Sequence, residues 1–159
     1  MAVHKLILDD VFEESICTLI AIHCTIEDYR LAYHLNKNLR INLVRNKKDL
    51  DYNNGKSTFS IFNWEDKNQL LTWNLVSNIC KTNDYQKVNT ELLFETNQSI
   101  TFNLLPELKH VNYLLKIDDE FNLSKEKYII NTILSIPQVA TAYTIDLSQL
   151  KSKDNLIFS

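Results

Sequence analysis

A single glycine, Gly55, stands in a chain of 159 residues. Average usage is about 7%, and glycine is the residue that lets a backbone approach a phosphate closely or turn through positive φ. No G-x-G-x-x-G fingerprint, Walker A loop, G-x-S-x-G nucleophile elbow or kinase phosphate loop can be written in this sequence. That argues against NAD or ATP binding by the usual routes, and no cofactor is expected. The one glycine follows Asn54, and Asn-Gly between extended runs is a strong hairpin signal, because both residues tolerate the positive φ of a tight primed turn.

The length suits one domain, residues 1–159, with a core large enough to need no disulfide staples. At 45% hydrophobic and 23% charged residues the composition is that of a globular protein. The opening Met1–Asp10 holds an apolar run too short for a secretory segment, and the longest apolar window, Ile16–Ile22, is far from the roughly 18 residues of a membrane span. A cytoplasmic chain is predicted. Cys17, Cys24 and Cys80 are scattered and odd in number, which reads as reduced structural thiols. His4, His23, His34 and His110 do not combine with them at metal-ligand spacing, so no metal is expected.

Along the chain, Ile16–Cys24 is apolar on both faces and β-branched, the pattern of a central strand. Thr25 and Asp28 form a capping-box arrangement that opens a helix running to Leu39. Its apolar face is Leu31, Ala32, Leu35 and Leu39, flanked by Tyr29 and Tyr33. The Asn54-Gly55 turn joins two strands, the second being Ser57–Trp64. A further turn at Glu65–Asn68 leads into a long strand, Gln69–Lys81, making a meander. Glu91–Phe94 and Ile100–Leu104 are weaker strand patterns. Val111–Ile117, a helix opening at Ser124–Lys127, and Val139–Ile145 after Pro137 form a β-α-β unit. The helix stripe is Tyr128, Ile129, Thr132, Ile133 and Ile136. The tail 147–159 carries enough apolar surface to dock. The fold class predicted is α+β: a single-domain two-layer sandwich, mainly antiparallel sheet, with two helices packed on it.

Three groups of residues invite a functional reading. Arg40, Arg45, Lys47 and Lys48 form a basic strip that could contact RNA, although Asp49 and Asp51 dilute it and the net charge of −3 offers no broad phosphate-binding surface. An ordinary solvated face is the expected outcome. Glu107 and His110 could form a dyad, the imidazole as base and the carboxylate as its orienter, but no nucleophile stands beside them in sequence. Phe59, Phe62, Trp64 and Trp73 could stack bases, yet without interleaved arginines they read as core.

Leu105-Pro106-Glu107, followed after three residues by Val111-Asn112-Tyr113, resembles the motif of the IPExxxVDY family, small proteins of Bacteroidota named for that motif. The segments HKLILDD, LIAIHCTIEDYRLAYHLN and FSIFNWED are similar to the same family. The likeness carries no assigned activity, so it transfers no catalytic or ligand residue. Leu105 and Asn112 depart from the motif's isoleucine and aspartate. Asparagine keeps a carboxylate's acceptor oxygen but cannot ionise, which points to a structural or recognition role at that position. The expected function is a non-enzymatic protein-interaction module with a protein partner, which could be a second copy of the chain. RNA association through the basic strip, or a small-molecule enzyme built on Glu107 and His110, are the alternatives.

Overall fold

The computed structural model describes residues 16–52, 57–84, 98–119 and 121–158. The Asn54-Gly55 turn and the Glu91–Phe94 strand pattern lie outside them. Within them the chain is α+β with mainly antiparallel sheets and two helices, as the hydrophobic pattern predicts.

The principal sheet has six strands in the order β10 (Val139–Thr144), β1 (Thr18–Cys24), β9 (Tyr113–Ile117), β6 (Leu71–Ser77), β5 (Ile61–Asp66), β2 (Val44–Arg45), every neighbouring pair antiparallel. β9 and β10 both pair with β1, so they run parallel to each other and the helix between them, α2 (Leu123–Leu134), makes a β-α-β unit split by β1. The other helix, α1 (Asp28–Leu39), carries the chain from β1 to the far edge strand β2. Two hairpins stand outside this sheet: β3 (Leu50–Tyr52) with β4 (Ser57–Phe59), and β7 (Ile79–Asp84) with β8 (Gln98–Asn103).

Strand alternation sends successive side chains to opposite faces, and both faces of the sheet are covered. On one, Ile20, Ile22, Leu75, Leu115 and Ile117 pack under Leu31 and Leu35 of α1 and Ile129 and Ile133 of α2. On the other, Leu19, Ala21, Ile61, Val76 and Leu114 pack with Phe59 from β4, Cys80 from β7, Leu104, Leu105 and Val111, and the tail residues Leu150 and Leu156. A cover of hairpins and tail thus opposes the helix layer. Phe62, Trp64 and Trp73 belong to the helix-side cluster and Phe59 to the other, so the four aromatics form no common platform.

Several boundaries differ from the sequence reading. The expected long strand Gln69–Lys81 is broken at Asn78, and Ser57–Trp64 at Ser60, because β4 and β7 leave the main sheet to pair within their own hairpins. α1 begins at Asp28 with Glu27 as its N-cap and no side-chain cap. Thr25 falls too early to cap, and Asp28 instead accepts from the Tyr29 N–H at 2.7 Å. Tyr29, Tyr33 and Tyr128 are exposed rather than packed. α2 is capped by Asn122, whose Oδ1 accepts from the Lys125 N–H at 2.8 Å. Among the described residues no helix is long and apolar enough to cross a membrane.

The two-faced cover has a direct consequence. Leu114 and Leu115 are adjacent in β9, face opposite sides and are both fully buried. Truncating either to alanine is expected to cost about 2–5 kcal/mol in urea denaturation. Tolerance of Leu114→Ala alone would mean that the hairpin-and-tail side is not a true core.

Candidate functional site

The Leu105–Tyr113 corner is organised by a residue the sequence reading passed over. Asn78, which interrupts the expected long strand, is wholly buried, at 0% exposure. Its side-chain Nδ2 donates to the Leu108 carbonyl at 2.8 Å and to the Val111 carbonyl at 2.9 Å. Its Oδ1 accepts from the Leu105 N–H at 2.8 Å. The Asn78 backbone is engaged as well, donating to Asn112 O and accepting from Leu104 N, each at 2.9 Å. One amide therefore occupies the place a strand ladder would fill, and it meets the requirement that buried polar groups be paired.

The motif residues then tie this corner to distant segments. Pro106 opens a 3-10 turn over Pro106–Leu108, where its missing N–H leaves no donor unsatisfied. Leu105 and Val111 are buried in the hairpin-side core. Asn112 Oδ1 accepts from the Cys24 N–H at 3.0 Å, and the Tyr113 hydroxyl donates to the Ile26 carbonyl at 2.7 Å, so both hold the turn between β1 and α1. Burial pushes the Tyr113 hydroxyl above the ordinary tyrosine range and the Cys24 thiol up to about 11. Both stay protonated at neutral pH. Position 112 acts as an acceptor, which asparagine and aspartate supply alike.

Glu107 is exposed and accepts from the Ser152 hydroxyl at 2.6 Å, tethering the tail. His110 is exposed and makes no hydrogen bond among the described residues. The two are not brought together as a dyad, and neither lines the clefts beside Arg40 or over β5, β6 and β9.

The basic strip is divided too. Arg40 ends α1 in the left-handed region, at φ 56°, and lines a small cleft with Trp64, Trp73 and Lys125. Arg45 pairs with Asp49 and lies 3.4 Å from Asp28, its guanidinium over the Phe62 ring. Lys47 and Lys48 line a second cleft, whose lining Arg45 shares.

That cleft, of about 850 Å³, lies on the hairpin side of the sheet beyond the point where the apolar cluster ends. Its floor is two polar rungs laid across three strands. Asn63, Asn74 and Lys116 are cross-strand partners on β5, β6 and β9. Glu65 pairs with Thr72 in the next rung, and the Asp118 N–H donates to the Thr72 carbonyl at 3.0 Å. Leu50, Tyr52, Ile157 and Phe158 also line it, and Lys47, Lys48, Asp49 and Asp51 bring charges of both signs. Lys116 Nζ lies 3.1 Å from Asp118 and over the Phe158 ring.

Asn74 is only 7% exposed, yet its amide has no hydrogen-bond partner among the described residues. Central strands covered on both faces are normally apolar, and a polar rung there departs from that pattern. The signal was present in the sequence as Asn63, Asn74 and Lys116 inside apolar runs, but only the register puts them side by side.

No protein-family profile, curated protein or solved structure matches this chain. Asn78→Ala strands two carbonyls and one N–H and is expected to cost about 3 kcal/mol in chemical denaturation. Glu107→Ala and His110→Ala are expected to stay within about 0.5 kcal/mol, as exposed substitutions do. An Asn78→Ala loss no greater than that of the two surface variants would remove Asn78 from its central place.

Proposed function

We propose that this chain is a non-enzymatic protein-interaction domain whose working surface is the cleft over β5, β6 and β9, and that the cleft takes an extended segment of a partner protein. The observation that carries the reading is the Asn74 amide, which opens into the cleft without a hydrogen-bond partner among the described residues and stands between Asn63 and Lys116 on strands of the sheet. A site on strands is held more firmly than one on loops. Its amide offers both a donor and an acceptor, which a peptide backbone matches.

The lining favours a peptide over a small metabolite. Small-molecule pockets are mostly apolar with a few polar groups, whereas this cleft presents Lys47, Lys48, Lys116, Asp49, Glu65 and Asp118 around amides. Charges of both signs suit a segment with mixed side chains. Its carboxylates, ammonium groups, amides and the Thr72 hydroxyl can meet such a segment by hydrogen bonding and charge pairing. Lys47 and Lys48 join it as two charges among acids, which supports this reading more than a phosphate-binding strip. The resemblance of the Leu105–Tyr113 motif to the IPExxxVDY family belongs to the same proposal, with the motif as the brace of the domain and the cleft as its contact surface.

A photo-crosslinking residue placed at Lys48 on the cleft rim is expected to give a protein adduct in living cells that the same residue at Lys127, on α2, does not give. Asn74→Leu is expected to abolish that adduct while leaving thermal stability within about 1 kcal/mol, since no hydrogen bond among the described residues is lost with the amide. Equal adducts at both positions, or an adduct indifferent to Asn74→Leu, would overturn the assignment of the cleft.

A further inference from the structure

The two edges of the principal sheet are unlike. β2 spans only Val44–Arg45 and carries an arginine. β10 runs for six residues, Val139–Thr144, and among the described residues pairs only with β1. From Tyr128 to Ile145 the sequence has no charged residue, although Lys127 and Asp146 stand immediately outside. Sheet edges are ordinarily protected by charges, prolines or a covering element, and the regular part of β10 has none of these among the described residues.

The register shows what this edge offers. The Ile145 N–H donates to the Leu19 carbonyl at 2.8 Å, so by alternation the backbone groups of Tyr143 and Thr141 also face β1. Those of Ala142 and Thr144 face outward. A register shift at His23 and Cys24 ends the regular pairing before Val139. Tyr143 is 42% exposed, and its ring is held by a 3.0 Å hydrogen bond between its hydroxyl and His23 Nε2. On the helix side the Thr144 hydroxyl donates to the Glu126 carboxylate and so engages that acid.

We infer that β10 pairs antiparallel with β10 of a second copy of this chain, joining two six-stranded sheets into one across a two-fold axis at Tyr143. Such an axis sets each residue near its own counterpart, so a charged edge would meet like charge, while this uncharged one does not. That is the reason to name a second copy as the occupant. With the axis at Tyr143, the outward N–H and C=O of Ala142 face those of the partner's Thr144, and the reverse. The two Tyr143 residues become a directly opposed, non-hydrogen-bonded pair, with Cα atoms about 4.5 Å apart. Opposed aromatics on one face are a stabilising cross-strand pair. The surface is separate from the cleft, so a dimer would present two clefts.

Analytical ultracentrifugation of the full chain is expected to give twice the chain mass at high concentration, and Tyr143→Lys, which opposes two ammonium groups across the axis, is expected to return the monomer with an unchanged circular dichroism spectrum. Tyr143→Cys with an added two-electron thiol oxidant such as diamide is expected to give a disulfide-linked dimer, since roughly 4.4–6.8 Å between Cα atoms suits that bond. Lys67→Cys and the unmodified chain are expected to remain unlinked. A wild-type chain that stays monomeric throughout overturns the inference, and so does a dimer that withstands Tyr143→Lys and whose Tyr143→Cys variant forms no intermolecular disulfide. Loss of the Lys48 adduct alone would leave it standing.

Discussion

The rest of the molecule depends on one buried primary amide. Asn78 sits where β6 leaves the principal sheet and β7 begins its own hairpin, a point at which the chain must turn through the interior and abandon a ladder. Each backbone group so exposed inside the protein would cost as much as a lost hydrogen bond. Asn78 supplies partners to Leu105, Leu108 and Val111 from a single side chain. Aspartate could not donate, leucine could do neither, and glutamine would place the amide one carbon too far for the same three contacts. The corner at Leu105–Tyr113 exists because that residue is there.

From this pin the structure spreads in three directions. Asn112 and Tyr113 hold the start of α1 against the sheet, through Cys24 and Ile26. Glu107 meets Ser152, the Leu104 carbonyl accepts from Asn155 Nδ2, and the Asn155 carbonyl accepts from the Tyr52 hydroxyl, so the tail and the β3–β4 hairpin share the anchorage. Ile157 and Phe158, just beyond, wall the cleft. The corner and the cleft are thus joined by hydrogen bonds through the tail without sharing a residue.

Much of the scaffold was legible because periodicity is a direct image of burial. The doubly apolar Ile16–Cys24 run became a central strand, and Leu31, Ala32 and Leu35 became a buried helix face. What escaped was everything that register or tertiary pairing decides. Asn78 looked like one more polar residue in an alternating strand. Thr25 matched a cap pattern that the path out of β1 overruled, and Tyr29 and Tyr33 sat just past the edge of the buried stripe. Asn63, Asn74 and Lys116 are far apart in sequence and meet only because β5, β6 and β9 are neighbours. Glu107 and His110 lie close in sequence but in a 3-10 turn and the residues following it, where proximity along the chain does not bring the groups together.

Glycine scarcity has a physical consequence at the two described non-glycine residues with positive φ, Arg40 and Leu70. Both close turns that glycine would close without steric cost, the end of α1 and the β5–β6 hairpin. Each carries on the order of 1 kcal/mol of backbone strain. The Arg40 N–H caps the Asn36 carbonyl, and Asn36 in turn spans to both backbone groups of Leu43, at 2.7 Å and 3.0 Å. In the hairpin, Asp66 Oδ1 accepts from the Asn68 and Gln69 N–H groups. Asparagine and aspartate side chains thus perform, by hydrogen bonding to backbone, what glycine performs by lacking a Cβ. Asn78 is the same solution applied in the interior, which is why a chain with one glycine can still fold back on itself this often.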